Sequence, residues 1–441
     1  MESDSFVNRE RELQVIEEAL QTLQDRQRLL RTPVVEFCGV RGIGKTALLR
    51  QVQRRCQASD VPCIWAEAGR KERSLARQIV EAVGRSHSRA VGAQVTLSGE
   101  PGPNEWSAVR ALHLLAQRGR AVLLVDAVDA GNEDEVRSLE ALLREIVKEY
   151  TLFVVLAASR LVPFQGERSV ARKITALELG PLDRSSCDIY LQKAGLALAP
   201  EVRELLYSWT QGYPLALEVL TQAIRGGLNL LRPADQLQGL HLLRERVIRQ
   251  GILRQLSPEE VPAYEELLRL LSVPRRFNLL LLQELIEQFA PQWVRESLLA
   301  YFFLPRELGA KTEVVRWHLD RAGYAVEGPV RRLFLLTFQS EQPEQVVALH
   351  RWLAAFNQRL ASQVSGSDRS RYLREWLYHS AFCLEPAALT QGIQELLALL
   401  SMEAAEARVQ FVEEVRQDQE LQEALGEHAQ GFLTGLQALE H

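Results

Sequence analysis

The sequence predicts an α/β fold in which a parallel β-sheet flanked by helices gives way to a largely helical second half, and three observations predict it. Apolar runs at Val34–Phe37, Ala121–Val125 and Leu152–Ala158 are short and rich in β-branched residues, as strands buried on both faces are. Amphipathic stretches alternate with them, such as Val136, Leu139, Leu143 and Ile146 in a helix expected over 134–147. From about residue 340 the pattern is helical to the end.

The bulk properties set limits. A chain of 441 residues is too long for one core, so several domains are expected. Charged residues at 25% and apolar residues at 46% describe an ordinary globular chain. A net charge of −5 leaves no broad basic footprint for nucleic acid or an anionic membrane. Five cysteines, an odd number with no C-x-x-C pair, signal neither a disulfide framework nor a zinc site, which points to a reducing cytoplasm. No signal segment opens the chain, and no apolar run approaches the roughly eighteen residues of a membrane span.

The first strand runs directly into Gly39-x-x-x-x-Gly44-Lys45-Thr46, and a helical pattern (Ala47, Leu48, Leu49, Val52) follows at once. This is the setting of the phosphate-binding loop of P-loop NTPases. Glycines 39, 42 and 44 let the backbone close around an anion, with N–H groups turned inward and the helix N-terminus adding partial positive charge. Gly39, Arg41, Gly42, Ile43, Gly44, Lys45, Thr46 and Ala47 are the expected phosphate-binding set for ATP or ADP. Lys45 is expected to reach the β- and γ-phosphates and the Thr46 hydroxyl to hold Mg²⁺.

Two further strands end on functional side chains. The run Ala121–Val125 stops at Asp126, and the C-terminal end of a parallel strand opens on the ligand crevice, where a Mg²⁺-directed carboxylate belongs. Asp129, three residues on, is placed to orient or deprotonate the attacking water. The run 152–158 ends in Ser159-Arg160, and a permanently charged guanidinium there would bridge γ-phosphate oxygens. Elsewhere a strand is expected over 61–65 and helices over 75–83 and 106–115. A capping box at Ser257-Pro258-Glu259-Glu260 marks a helix start with Pro258 in its first turn.

The opening Phe6-Val7-Asn8-Arg9-Glu10, read as a helix start capped by Asn8, resembles the "hhGRE" segment of STAND-type and related AAA+ ATPases. Ser159-Arg160 resembles the sensor arginine of the STAND class, which includes NB-ARC and NACHT proteins, and Gly212-Tyr213-Pro214 resembles its "GxP" motif. The resemblance covers residues 6 to 217. It implies that Val7 and Pro214 lie near the base and that Pro214 couples a helical lid to the nucleotide. It also implies a domain order of an N-terminal helix (1–32), a P-loop NTPase α/β domain (33–180), a helical lid (181–228), a winged-helix-like domain (229–340) and a C-terminal helical region (341–441).

Winged helices also bind DNA, but nine basic residues against seven acidic ones over 273–332 argue against nucleic acid as a partner. His318, His350 and His379 read as structural rather than as sensors. The implied function is a cytoplasmic ATP-binding switch, closed with ADP and open with ATP. It would hydrolyse ATP slowly, associate with itself and signal, possibly in defence, through a separate effector or sensor protein. The alternatives are a DNA-binding AAA+ ATPase similar to the Orc/Cdc6 initiators and a nucleotide-stabilised scaffold.

Overall fold

The computed structural model describes residues 6–25, 29–69, 74–91, 105–116, 120–128, 132–148, 151–164 and 168–438. The chain divides into two compact units. The first comprises Met1–Val261, Phe303–Arg316 and Glu327–Leu333, and the second Pro262–Phe302, Trp317–Val326 and Phe334–His441.

The first unit is built on five parallel strands, β1 (Val34–Cys38), β2 (Cys63–Glu67), β3 (Ala121–Val128), β4 (Leu152–Ala158) and β5 (Ile174–Glu178), in the spatial order β2-β3-β4-β1-β5. Strand β1, which leads into the glycine-rich loop, therefore lies between β4 and β5, with Val35 opposite Val155 on one side and Thr175 on the other. Both faces of the central strands are covered, which is why β1 and β4 are buried at every position. On one face Val34, Leu123, Val154 and Leu156 pack with residues of the helices α3 (Leu75–Val91), α4 (Glu105–Ala116) and α5 (Glu133–Ile146), among them Ile79, Leu112, Leu139 and Leu143. Each such leucine contributes roughly 1.5–3 kcal/mol by leaving water. The helix α1 (Glu10–Gln24) precedes β1, and α2 (Lys45–Ala58) follows the phosphate loop.

The predicted sheet core with its flanking helices is therefore present. Three local expectations differ. The strand expected at 61–65 begins at Cys63, because Pro62 has no N–H to give a ladder and instead accepts from Val122 N at 2.8 Å. The first helix starts at Glu10, not after an Asn8 cap: Asn8 and Arg9 both adopt left-handed backbone, and the Asn8 side chain accepts from Arg9 N at 2.7 Å. At 257–260 the box itself closes, with Ser257 N donating to Glu260 Oε2 at 3.0 Å, yet the helix begins only at Val261.

After β5 come three short helices, Arg184–Lys193, Pro200–Thr210 and Pro214–Arg225. Asp183 caps the first by accepting from Ser186 N at 2.7 Å, and prolines open the other two, where a missing N–H costs nothing. A π-wound helix, Leu243–Ile252, then brings Gly251 against the Leu215 side chain.

The second unit is helical apart from the outer part of a hairpin between β6 (Val315–His318) and β7 (Gly323–Val326), with Phe277 bridged to Tyr324. Its C-terminal helices enclose an apolar core that includes Leu377, Ile393, Phe411, Val415, Phe432 and Leu436. A charged cluster lies beside it. The Arg275 guanidinium pairs with Glu375 at 3.0 Å and with Asp418 at 2.6 Å, and it lies over the Tyr378 ring at 4.4 Å. His350 and His379 are both buried, with their Nδ1 atoms 3.0 Å apart.

Candidate functional site

The loop between β1 and α2 turns through Gly39, Gly42 and Gly44, all with positive φ. Gly42 is the most constrained: at φ 80°, a Cβ there would lie 2.5 Å from the Tyr213 hydroxyl and 2.8 Å from Leu215 Cβ. Ile43 is buried beneath the loop, whereas Thr46 and Ala47 are exposed in the first turn of α2. The Lys45 ammonium folds back on its own loop, donating to Gly39 O at 2.6 Å and Val40 O at 3.0 Å. Burial pushes its pKa down to about 8, opposed chiefly by the nearby Glu313 carboxylate.

These residues open on a cleft of about 1150 Å³. Lys45, Thr46 and Asp126 line it together, from α2 and β3. Asp126 is 7% exposed, and its Oδ1 accepts from Ala127 N at 2.8 Å. Its geometry depends on an irregularity in β3: the register against β4 shifts between Val125 and Val128, and Ala127 has φ 57°. Thr46 and Asp126 are both hard oxygen donors of the kind a Mg²⁺ ion takes. Asp129 lies outside the described residues. Arg160 is exposed at the end of β4 and does not line the cleft; its neighbour Ser159 does.

The N-terminal segment and the short helices form the other walls. Phe6 lines the cleft, whereas Val7 is buried away from it. Lys193 Nζ donates to Phe6 O at 2.8 Å. Arg9 is buried and reaches Gly180 O at 2.5 Å and Ile43 O at 3.3 Å, so it clamps the opening segment to the phosphate loop. Pro214 lines the cleft with Tyr190, Glu218 and Thr221. Tyr213, fully buried, donates its hydroxyl to Arg41 O, and Leu215 N donates to Gly42 O at 3.2 Å. The segment 212–215 is thus bonded to the glycine-rich loop itself. Gly212 permits this because a Cβ there, at φ 72°, would come within 1.8 Å of Leu182 O.

Two further residues, Glu313 in the lining and Arg316 on the strand after it, were missed by sequence reasoning. Glu313 lines the cleft 3.4 Å from Arg41. Arg316 donates to Ser159 O and pairs with Glu178 at 3.3 Å and Glu327 at 2.9 Å. No local pattern could have found them, since Arg41 and Glu313 are 272 positions apart. His318 does not line the cleft.

No protein-family model matches the chain, and no curated protein does. Similar solved structures include a STAND protein with a tetratricopeptide repeat sensor from Pyrococcus horikoshii, at 15% identity over 99% of this chain and 58% of that one, with a TM-score of 0.36. The chain therefore spans less than two thirds of that protein. The Orc1 protein of Aeropyrum pernix in complex with DNA is similar at 17% identity over 76% of this chain and 93% of that one, with a TM-score of 0.41. Cdc6p of Pyrobaculum aerophilum is similar at 15% identity over 77% and 97%, with a TM-score of 0.39. At these identities and TM-scores the likeness assigns the chain to no family. One expectation is corrected by this set: the charge balance over 273–332 argued against nucleic acid, yet one of the similar structures holds DNA. A residue count also averages over a surface, whereas phosphate contacts need only local clusters of charge.

Proposed function

We propose that the chain binds ATP and ADP in the 1150 Å³ cleft and works as a nucleotide-controlled, ATP-hydrolysing switch. The supporting observation is the convergence of Lys45 and Thr46 from α2 with Asp126 from β3 on one cleft that Pro214 also lines. Backbone N–H groups of Gly42 and Gly44 and the start of α2 cradle the phosphates, and Lys45 leaves Gly39 O and Val40 O to reach them. Thr46 and Asp126 hold Mg²⁺, which when bound offsets phosphate charge. Asp129 aligns the attacking water, and Arg160, swinging in from its exposed position, answers the γ-phosphate. Phe6 rather than Val7 is the apolar contact offered to the base, together with Pro214.

In the STAND reading, the lid 181–228 and the winged-helix-like segment 229–340 close with ADP and open with ATP, hydrolysis is a slow timer, and the output is self-association with a separate effector or sensor protein. Calorimetry with ADP and ATP, followed by light scattering, tests this for wild type, Lys45→Ala and Asp126→Ala. Nucleotide binding and an ATP-dependent mass increase, both lost in Lys45→Ala, are expected. Absence of binding in the wild type sinks the nucleotide reading, and binding without a mass change sinks the assembly output.

A second reading is favoured by one feature. The helices Val261–Ser272, Leu279–Phe289 and Leu298–Thr312 are followed by the β6–β7 hairpin, the chain order of a winged helix, which suits a grip on duplex DNA. A mobility shift that weakens steeply as salt rises supports this output; no shift at low salt removes it.

A further inference from the structure

We propose that Glu313 discriminates diphosphate from triphosphate in the cleft, as a carboxylate held against the phosphate loop that a third phosphate displaces. The inference rests on reading the cleft as a nucleotide site and adds the residue that reports what fills it.

Glu313 follows the helix Leu298–Thr312 with a left-handed backbone, φ 62°, a conformation uncommon for a residue with a side chain. Its position is fixed from both sides. Glu313 N donates to Gly309 O at 3.0 Å, and Gly309 lies so close to the next strand that a Cβ there would fall 2.7 Å from Val315 O. Three residues on, Arg316 bonds to Ser159 O, Glu178 and Glu327, which ties the segment to the ends of β4 and β5. Between these anchors the Glu313 carboxylate faces the cleft 3.4 Å from the Arg41 guanidinium, with the two side chains 13% and 15% exposed.

Arg41 and Lys45 are cations of the loop expected to receive phosphate, and Glu313 already supplies one of them with an anion. Its field also reaches Lys45, where it is the strongest influence opposing the effect of burial on that ammonium. Phosphates entering the cleft compete with Glu313 for both cations and repel it, and the repulsion grows with each added negative charge. A diphosphate is tolerated with Glu313 in place; a triphosphate is accommodated best once it has gone. Leaving loosens residues 310–316, because the left-handed turn at Glu313 then lacks its ion pair with Arg41, while Arg316 keeps the segment anchored. The differential affinity required of a nucleotide switch is thereby assigned to a named side chain.

The test compares Glu313→Gln with wild type by calorimetry with Mg·ADP and Mg·ATPγS, alongside hydrogen exchange of the 310–316 amides. Loss of the charge is expected to tighten the triphosphate about tenfold and the diphosphate no more than about threefold. The triphosphate analogue should accelerate exchange at 310–316 in wild type, and the variant should exchange fast without nucleotide. Glu313→Asn, which suits left-handed backbone better than Glu, should reproduce the affinity ratio even if Glu313→Gln folds poorly. Equal tightening of both nucleotides, or none, in a protein that binds them overturns the proposal while leaving the nucleotide site standing. No binding of either nucleotide to wild type overturns the site and the proposal together.

Discussion

Lys45 and Glu36 carry the clearest pH signatures of the first unit, and they arise from the same cause. Burial holds the Lys45 ammonium down to about 8 from 10.5, so between those values the unfolded chain binds more protons and stability rises with pH. A phosphate anion would restore the charged form. Nucleotide binding near pH 8.5 should therefore take up protons, and the heat of binding should differ between buffers of different ionisation enthalpy; identical heats would show that Lys45 does not meet the phosphate. Glu36 lies in the middle of β1, 2% exposed, accepting from Val162 N at 2.8 Å. Burial lifts its pKa to about 7 from 4.5, against the effect of that hydrogen bond. Here the folded state binds more protons between the two values, so this residue's contribution falls as pH rises from 4.5 through 7. Glu36→Gln cannot ionise. Relative to wild type, its stability in urea should improve by about 2 kcal/mol between pH 5 and pH 8, and a constant difference would refute the assignment.

At the scale of elements, what could be read in advance was whatever the chain writes in consecutive residues. β4 is an unbroken apolar run, β3 is one as far as Asp126 and β1 is one but for Glu36, and the glycine-rich loop follows β1 directly, so strands and loop were legible together. β5 was not, because it is a partly exposed edge strand with only Leu177 buried. Tyr213 was passed over for a related reason: the middle position of a G-x-P segment carries no pattern, and its bond to Arg41 O joins residues 172 positions apart. Glu313 is the same case at greater range, 272 positions from Arg41, and Arg316 at slightly shorter range, 157 from Ser159. The segment 212–215 makes its own prediction. Gly212→Ala should lower stability by about 2–4 kcal/mol, since a methyl group at φ 72° would drive into Leu182 O and detach the segment 212–215 from the glycine-rich loop. Thermal unfolding checks it, and an unchanged midpoint would mean the segment is not fastened there.

For the molecule as a whole, no helix among the described residues is long and apolar enough to cross a membrane. The first unit is organised by its sheet, whereas the second combines an apolar helical core with the Arg275, Glu375 and Asp418 cluster. Arg275 is buried, and its two carboxylate partners hold its pKa above the ordinary value despite that burial. Removing one member of such a cluster strands the others. Asp418→Ala, which also removes the acceptor for Leu421 N at 3.0 Å, should destabilise the second unit by about 3–5 kcal/mol, seen as faster hydrogen exchange across 386–438. Arg275→Met with Glu375→Leu and Asp418→Leu should recover much of that loss, because well-packed apolar side chains often replace buried ions without cost.

The same cluster has a consequence for how the chain is made. Arg275 and Asp418 are 143 residues apart, and translation at about 5–20 residues per second separates their synthesis by roughly 7–30 s. During that interval a guanidinium destined for the interior has no finished partner set, and the apolar helices around it have no final mates. Collapse of the second unit is therefore deferred until the segment around Asp418 has been synthesised, while strands β1 to β5 have emerged long before.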